Sequence, residues 1–503
     1  MGDASRIREG IVAGAFGAAL AAAVSIGLGL LLGVPSLPEL LSDWLLERTP
    51  GPLFSFALDW LQTAAKPLFY LAIVLALVAL GAAVGGWVSR RAPSSLLGGA
   101  LLAALALWGV QELVVLPLVG AGVFGQAPRF AGPLGPAVRL LALLVYGSAL
   151  AGVLALLRPE SRFLPTRRAA MRAGILGVLA LVSGGALARA LGGARAMGAG
   201  TRVTPRRGTG LPEPITPVGQ FYSISKNFFD PVVDRARWRL EITGLVQQPL
   251  RFTLDQLRAL PQYDQLQTLI CISNEVGGDL ISNGAWRGVR LGELLSRAGV
   301  ADGAVDVVFI CADGYTDSIP LAVALDPRTL LALEMNGQPL TDTHGAPLRC
   351  IVPDIYGMKH AKWIRTIDVV ATDYHGFWQR QGWSDRAVIH TLSRIDYPRD
   401  GARLPFGEIE VGGIAFAGAR GIRAVELSFD DGATWRPAAL REEFGPLSWR
   451  FWTSRWRPER PGPHAVLVRA TDGSGAQQTA VRAGPFPDGA TGYHRVVLHV
   501  QDR

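Results

Sequence analysis

The residue best suited to chemistry is Cys271, in the stretch Thr268-Leu-Ile-Cys271-Ile-Ser-Asn274-Glu-Val-Gly277-Gly278. It is followed by Ile281-Ser-Asn-Gly-Ala285-Trp286-Arg-Gly288-Val-Arg-Leu291. A short apolar strand runs into the cysteine and then into a polar, glycine-rich turn. The pattern predicts a thiol at a strand end, facing a pocket lined by backbone amides. A thiolate so placed is a soft ligand for a heavy metal. On spacing alone the alternative is a buried structural cysteine, because free cysteines are among the most buried residues. Cys271, Cys311 and Cys350 are far apart and form no C-x-x-C pair. That excludes a zinc ribbon and a c-type haem site, and gives no disulfide framework.

The elements that must position this loop follow a long apolar section. A chain of 503 residues has room for about three domains. Its net charge of +8 lies largely in arginine clusters beside apolar runs, which reads as membrane topology rather than nucleic-acid binding. Apolar runs at about 11–34, 67–88, 95–119, 136–157 and 172–191 each approach the length needed to cross a bilayer. The first lacks the short core and cleavage pattern of a secretory signal, so it reads as retained. Leu37 to Leu61, with Trp44 and Trp60, reads as an interfacial helix. Arg6 and Arg8 precede the first run, Arg90 and Arg91 follow the second, and Arg158, Arg162, Arg167, Arg168 and Arg172 separate the last two. By the positive-inside rule these segments are cytoplasmic, and everything after about residue 195 falls on the outer face. Glu112, inside the third run, is either functional or a partner of Arg129 or Arg139. All seven histidines lie at 344 or later, so the apolar section cannot hold a bis-His haem. It reads as an anchor or docking surface.

Four segments result: a transmembrane helical domain of about five spans (1–195), a Gly/Pro-rich linker (196–218), an α+β domain (219–387) and a C-terminal β domain (388–503). The third mixes short strands such as Val305-Asp-Val-Val-Phe-Ile with short helices such as Leu291–Ala298. In the fourth, strands recur with turn signals, as in Val425-Glu-Leu-Ser-Phe-Asp-Asp-Gly-Ala-Thr-Trp435, which is how a small β-sandwich reads.

The Cys271 stretch resembles the molybdenum-ligand loop of the sulfite oxidase family, a T-L-x-C-x-x-N strand preceding a Trp-x-Gly-Val-x-Leu segment. The resemblance places Cys271 as the molybdenum-coordinating cysteine of a molybdenum–molybdopterin enzyme. Further motifs extend it. Phe221-Tyr-Ser-Ile-Ser-Lys226-Asn227-Phe-Phe-Asp230 resembles the family's opening Arg-Asn-His segment. Asp342-Thr-His344-Gly345-Ala-Pro347-Leu-Arg349 and Tyr356-Gly357-Met-Lys359-His360-Ala361-Lys362-Trp363 resemble its pterin-binding run. By resemblance, Asn227, Asp313, His344, Arg349, Lys359, His360 and Lys362 contact the cofactor, whose anionic groups need cationic side chains and backbone donors. Residues 388–503 resemble the immunoglobulin-like dimerisation domain that follows, which implies a homodimer. Thr166-Arg167-Arg168-Ala-Ala-Met171 resembles a twin-arginine export signal; it reads equally as a positive-inside cluster.

The likeness covers about residues 219–503 and departs from sulfite oxidases at the substrate side. Lys226 stands where an active-site arginine is expected, Phe228 where a cofactor-contacting histidine is expected, and Trp383 where a tyrosine is expected; Arg380 and Arg420 complete that group. Lysine does not replace arginine for bidentate oxyanion binding, and tryptophan has no phenol. The resemblance therefore implies two-electron oxygen-atom transfer on a sulfoxide, N-oxide or sulfite class of substrate, at the outer face of a cell membrane. A separate partner, a membrane haem protein or the quinone pool, exchanges the electrons, with no haem in this chain. Two other classes stand beside it. A cofactor-free binding protein on the same fold would be expected to lose Cys271 and the Lys359–Lys362 cluster. A cysteine-nucleophile hydrolase needs a histidine base beside Cys271, for which no signature appears.

Overall fold

The computed structural model describes residues 3–32, 34–49, 65–90, 96–125, 134–157, 210–227 and 230–501. The expected fifth span, the twin-arginine-like segment, Phe228 and most of the linker lie outside them. The chain divides into two compact units, Met1–Met197 with Ser225–Phe229, and Gly198–Ile224 with Asp230–Arg503.

The first unit is helical: α1 (Asp3–Leu32), α2 (Leu37–Arg48), α3 (Ala65–Arg90), α4 (Leu96–Val110) and α5 (Gly135–Leu157). Among the described residues four helical stretches are long and apolar enough to cross a membrane, Ser5–Gly29, Leu68–Arg90, Leu97–Leu118 and Gly135–Ala155. The expected interfacial stretch is helical over α2. Small residues let α1 and α3 touch backbone to backbone. A Cβ on Gly14 would lie 2.3 Å from the Gly81 carbonyl oxygen, and one on Gly85 equally close to that of Gly10. In a bilayer, where lipid supplies no hydrophobic drive between helices, such close contacts would hold α1 and α3 together. α4 runs into a π-helical turn at Gln111–Val115, which turns Glu112 inward. Glu112 and Arg139 of α5 are both buried and meet bidentately, Nε to Oε1 at 2.7 Å and Nη2 to Oε2 at 2.9 Å. Of the two arginines open from sequence, Arg139 is the partner; Arg129 lies outside the described residues.

In the second unit, ten strands form two sheets. β1 (Arg239–Gly244), β2 (Leu250–Thr253), β5 (Asp306–Cys311), β6 (Thr316–Pro320) and β10 (Ile364–Val370) assemble in the order β2-β1-β10-β5-β6. β3 (Tyr263–Ile270), β4 (Ile281–Arg290), β7 (Leu330–Met335) and β8 (Gln338–Pro339) form the second, with β9 (Arg349–Ile351) beside β7. β1 and β10 pair in parallel and the other pairs run antiparallel, so the class is mixed α+β, as read from sequence. α6 (Leu254–Arg258) is a single turn, and α7 (Leu291–Ala298) follows β4. α7 buries Leu291, Leu294, Leu295 and Ala298, the i, i+3, i+4, i+7 stripe, and ends at left-handed Gly299 (φ 69°). Each of those leucines contributes about 1.5–3 kcal/mol by leaving water.

The rest of this unit is β-structure. β11 (Leu392–Tyr397), β13 (Ile409–Phe416), β16 (Ala439–Leu440) and β17 (Arg450–Trp456) make a sheet in the order β11-β13-β17-β16. β12 (Arg403–Leu404), β14 (Ile422–Ser428), β15 (Arg436–Pro437), β18 (Gly462–Asp472) and β19 (His494–Val500) make another. One apolar cluster draws on both: Ile395, Val411 and Trp452 from the first, Val425, Val468 and Leu498 from the second. Alternation along β13 explains how the C-terminal strands join the α+β core. Val411 and Ala415 face that cluster, whereas Ile414 and Phe416 belong to the core of the α+β sheets.

Candidate active site

β3 ends at Ile270, and Cys271 is the next residue. Inward polar groups near it are paired: Thr268 Oγ1 donates to Asn283 Oδ1 (2.9 Å), and Trp286 Nε1 donates to the Gln267 carbonyl (3.2 Å). The loop closes on itself. The Cys271 amide donates to Leu280 O and the Asn274 amide to Cys271 O, both at 3.0 Å, while Asn274 Oδ1 accepts from the Leu280 amide at 2.8 Å. Gly277 (φ 79°) has no room for a side chain, since a Cβ would lie 2.3 Å from the His494 ring. Arg394 Nη1 donates to Gly278 O at 2.7 Å. The C-terminal β region therefore fixes the outside of the loop.

Cys271 is buried, with Sγ 3.1 Å from Ser273 Oγ. Burial pushes its thiol pKa up, while the Ser273 hydroxyl and the amides of Ser273 and Ile272 pull it down. Donors of the chain itself thus converge on the sulfur, which suits an anionic thiolate bound to a metal.

Linked to it through Tyr222 and Arg349 are buried polar groups, several of which lack a partner among the described residues. β9 carries Arg349 into the interior at 6% exposure, its guanidinium 5.4 Å over the Trp286 ring. Nε has no hydrogen-bond partner, and no carboxylate is among the groups that act on it; burial lowers its pKa to about 10. His344 and His360 are buried and each directs Nε2 at a carbonyl, of Val218 and Ile355 respectively, at 3.1 Å. A carbonyl only accepts, so Nε2 carries the proton and each Nδ1 is an acceptor, without a partner in both cases. Burial, and then Arg349, lowers His344 to about 4 and His360 to about 3, so both rings are neutral. The Tyr222 hydroxyl is likewise buried and unpartnered, and both Cys271 and Arg349 act on it. Lys362 Nζ donates to Thr343 O (3.0 Å) and Ser223 Oγ (3.3 Å), 4.2 Å over the Trp363 ring. Each buried polar group left unmade costs about 1–3 kcal/mol, so their convergence calls for a polar, anionic occupant.

Other expected residues have different employment. Lys359 Nζ bonds Asp317 Oδ1 (3.0 Å), Asp385 Oδ1 (3.1 Å) and Ser318 O (3.0 Å), an ion-pair cluster within the protein. Asp313 Oδ1 accepts from the Tyr315 amide at 2.9 Å, shaping a turn. Lys226 Nζ donates to Asn227 Oδ1 at 2.9 Å, and the stretch 225–229 that carries both clusters with the helical unit. Arg380 is exposed and donates to His375 O at 2.7 Å. Arg420 pairs with Asp472 (Nε to Oδ2, 3.0 Å) and donates to Ile389 O (2.8 Å). Trp383 is buried against Trp378 and Phe486, and its indole N–H has no partner.

Two phenols escaped the sequence reading, Tyr222 and Tyr356. Cys271 acts on both. Their signal was present: each lies inside a quoted motif, and Gly357 leaves space that the Tyr222 hydroxyl fills, 2.5 Å from where a Cβ would sit. Asp373, His375 and Asp385 also gather, with ligand atoms within 4.8 Å of one another. That group offers only carboxylate oxygen and imidazole nitrogen donors, does not include Cys271, and shares Asp385 with Lys359.

The α+β region is similar to known proteins. Residues 228–378 match the oxidoreductase molybdopterin binding domain. The chain is 33% identical to mitochondrial sulfite oxidase of Mus musculus over 292 residues, 48% of this chain and 54% of that protein. It is 30% identical to sulfite oxidase of Arabidopsis thaliana over 286 residues, 46% of this chain and 71% of that one. It thus spans about half the length of the animal relatives it matches. The crystal structure of the sulfane dehydrogenase SoxCD from Paracoccus pantotrophus shares the fold, with a TM-score of 0.51 at 23% identity, covering 58% of this chain and 84% of that one. A molybdenum–molybdopterin cofactor fits the donor set: a buried guanidinium lacking a counter-anion, two acceptor nitrogens, a buried phenol, an ammonium, and a thiol solvated by amides. The chain is an enzyme of the sulfite oxidase family, with a molybdopterin-binding oxidoreductase domain preceded by apolar helices long enough to span a membrane.

Proposed function

We propose that this is a membrane-anchored molybdenum oxidoreductase that catalyses two-electron oxygen-atom transfer on a small substrate at the outer face of the membrane. The observation that carries the reading is Arg349, buried and with its Nε unpartnered, which acts on the same Tyr222 hydroxyl as Cys271. In this reading Cys271 is the metal ligand, and Arg349, His344, His360, Tyr222 and Lys362 hold the cofactor. Bound there, the cofactor supplies the two-electron redox chemistry. The chain's residues do the rest. Ser273 and the amides of residues 272 and 273 oppose the effect of burial on the sulfur and would support it as a metal-bound thiolate. Arg349 and Lys362 neutralise anionic groups, and the neutral histidines accept hydrogen bonds.

We assign the substrate to the less anionic end of its class, a sulfoxide or N-oxide rather than sulfite. Support comes from the two candidate arginines, since Arg420 is matched by Asp472 and Arg380 is exposed. Trp383 offers an unpartnered neutral donor instead. Residues 1–195 form the anchor and 196–218 a linker. Residues 219–387 form the molybdopterin domain and 388–503 an immunoglobulin-like sandwich through which two copies pair. A separate membrane haem protein or the quinone pool exchanges electrons.

The test is metal and pterin analysis of the detergent-solubilised full chain from a cofactor-competent host, beside Cys271→Ser. About one molybdenum per chain with extractable pterin, and an altered molybdenum spectrum in the variant, is the expected result. Well-folded wild type carrying neither would overturn the reading and favour a cofactor-free binding protein.

A further inference from the structure

The position expected to supply a substrate-side phenol holds Trp383, which has none. A different phenol, Tyr356, is tied to the surroundings of both Cys271 and Arg420: a Cβ on its neighbour Gly357 would lie 3.1 Å from the carbonyl of Ile270, and Arg420 donates to the carbonyl of Ile389, next to His390. Tyr356 is 2% exposed, and its hydroxyl feels both Cys271 and Arg420. Three remote backbone segments fix it there. The Tyr356 amide donates to Ala387 O at 2.8 Å, which sets the ring's base. The His390 amide donates to the phenol oxygen at 3.3 Å, with the His390 ring packed edge-on at 6.3 Å. Gly489 (φ 98°) lies against the hydroxyl so closely that a Cβ would sit 2.5 Å from it.

The consequence is directional. The oxygen's lone pair is taken by the His390 amide, so the phenolic proton must point elsewhere. Among the described residues no acceptor receives it. Tyr222 differs: its hydroxyl feels Cys271 and Arg349, the cofactor side, rather than Arg420. The two phenols therefore address the same thiol with different companions, one from the residues assigned to the cofactor and one from the β region.

We propose that Tyr356 is the hydrogen-bond donor to the substrate oxygen, taking the role that Trp383 leaves vacant. The proposal rests on the reading of this site as a molybdenum centre for oxygen-atom transfer. No bond to carbon or hydrogen breaks in this role; the phenol holds the oxygen as its bond to sulfur or nitrogen polarises. Arg420, matched by Asp472, orients the β-region wall without adding net charge.

The test uses the full chain, cofactor-loaded, as wild type and as Tyr356→Phe. Molybdenum and pterin content are measured first. Then follow turnover of dimethyl sulfoxide and trimethylamine N-oxide with reduced benzyl viologen, of sulfite with ferricyanide, and the paramagnetic molybdenum spectrum in H2O and D2O. The expected result is unchanged cofactor content, a roughly 10- to 100-fold loss of kcat on the oxides with a smaller change in KM, and loss of an exchangeable-proton splitting. Full rates and an unchanged spectrum in the loaded variant would overturn the assignment. So would loss of molybdenum from the variant alone, which would make Tyr356 a cofactor-retention residue. If wild type turns over none of the probes, the spectrum decides. Absence of molybdenum from wild type too defeats the underlying reading, a separately recognisable failure.

Discussion

Arg139 in the helical unit and Arg349 in the α+β unit are both buried arginines, at 4% and 6% exposure, yet the chain treats them oppositely. Arg139 is completed by the protein: Glu112 meets it with two charge-assisted hydrogen bonds, and the Phe124 carbonyl accepts a third at 3.3 Å. Arg349 has an aromatic face beneath it and, among the described residues, no carboxylate acting on it. A buried cation with its anion supplied by the chain is an element of structure. One without it is held in readiness for an anion from outside. The contrast separates a structural charge from a binding charge without reference to any relative.

The largest effect should come from breaking the completed pair. Arg139→Met leaves Glu112 buried and uncompensated, so the helical unit should lose about 3–5 kcal/mol, read as a lower denaturation midpoint in detergent. Adding Glu112→Leu should restore most of that loss, because two apolar residues replace two charges. A single variant as stable as wild type would show that the pair is not buried in the membrane-embedded chain.

The same substitution at the other arginine should behave differently. Arg349→Met removes a cation that no carboxylate among the described residues matches, so stability of the cofactor-free protein should change by less than about 1 kcal/mol, or rise. Cofactor retention should collapse, measured as molybdenum and pterin per chain. Marked destabilisation without cofactor would mean that Arg349 is structural after all, and the contrast with Arg139 would fail.

This contrast also explains what was legible from sequence. Membrane-spanning runs need only length and apolarity, so four of the five expected were recovered within the described residues and the fifth lies outside them. Glu112 had two candidate arginines, and the π-turn at Gln111–Val115 aims it at the one on α5. The Cys271 strand and turn carried a local motif. Lys359 and Lys362 were indistinguishable in a basic run, because nothing nearby reveals that Asp317 and Asp385 claim one of them. Tyr356 was invisible as a site residue for a related reason. Its surroundings, at residues 387, 390 and 489, come from segments far apart in sequence that the fold brings together. Local motifs report ligands well; partners contributed by distant segments are decided by packing.

The smallest effects come from titration, and they should carry opposite signs in the two units. In the cofactor-free α+β unit, burial holds His344 near 4 and His360 near 3, below the unfolded value of about 6.5. His494, whose Nδ1 accepts the Ile395 amide at 3.0 Å, is held near 4 by burial and then by Arg394. The unfolded chain binds protons first as pH falls, so the stability these neutral rings contribute is present above about pH 6.5 and is lost progressively towards pH 4. Glu39 of α2 is the reverse case. Burial raises its carboxyl from the ordinary 4.5 to about 7. The folded helical unit therefore keeps a proton that the unfolded chain releases, and this contribution is lost as pH rises from about 4.5 to 7. Hydrogen exchange followed separately in the two units between pH 4.5 and 7 should show protection rising with pH around Cys271 and falling with pH around α2. Glu39→Gln should flatten the second trend and leave the first intact. Parallel trends in both units would contradict the burial assigned to these groups.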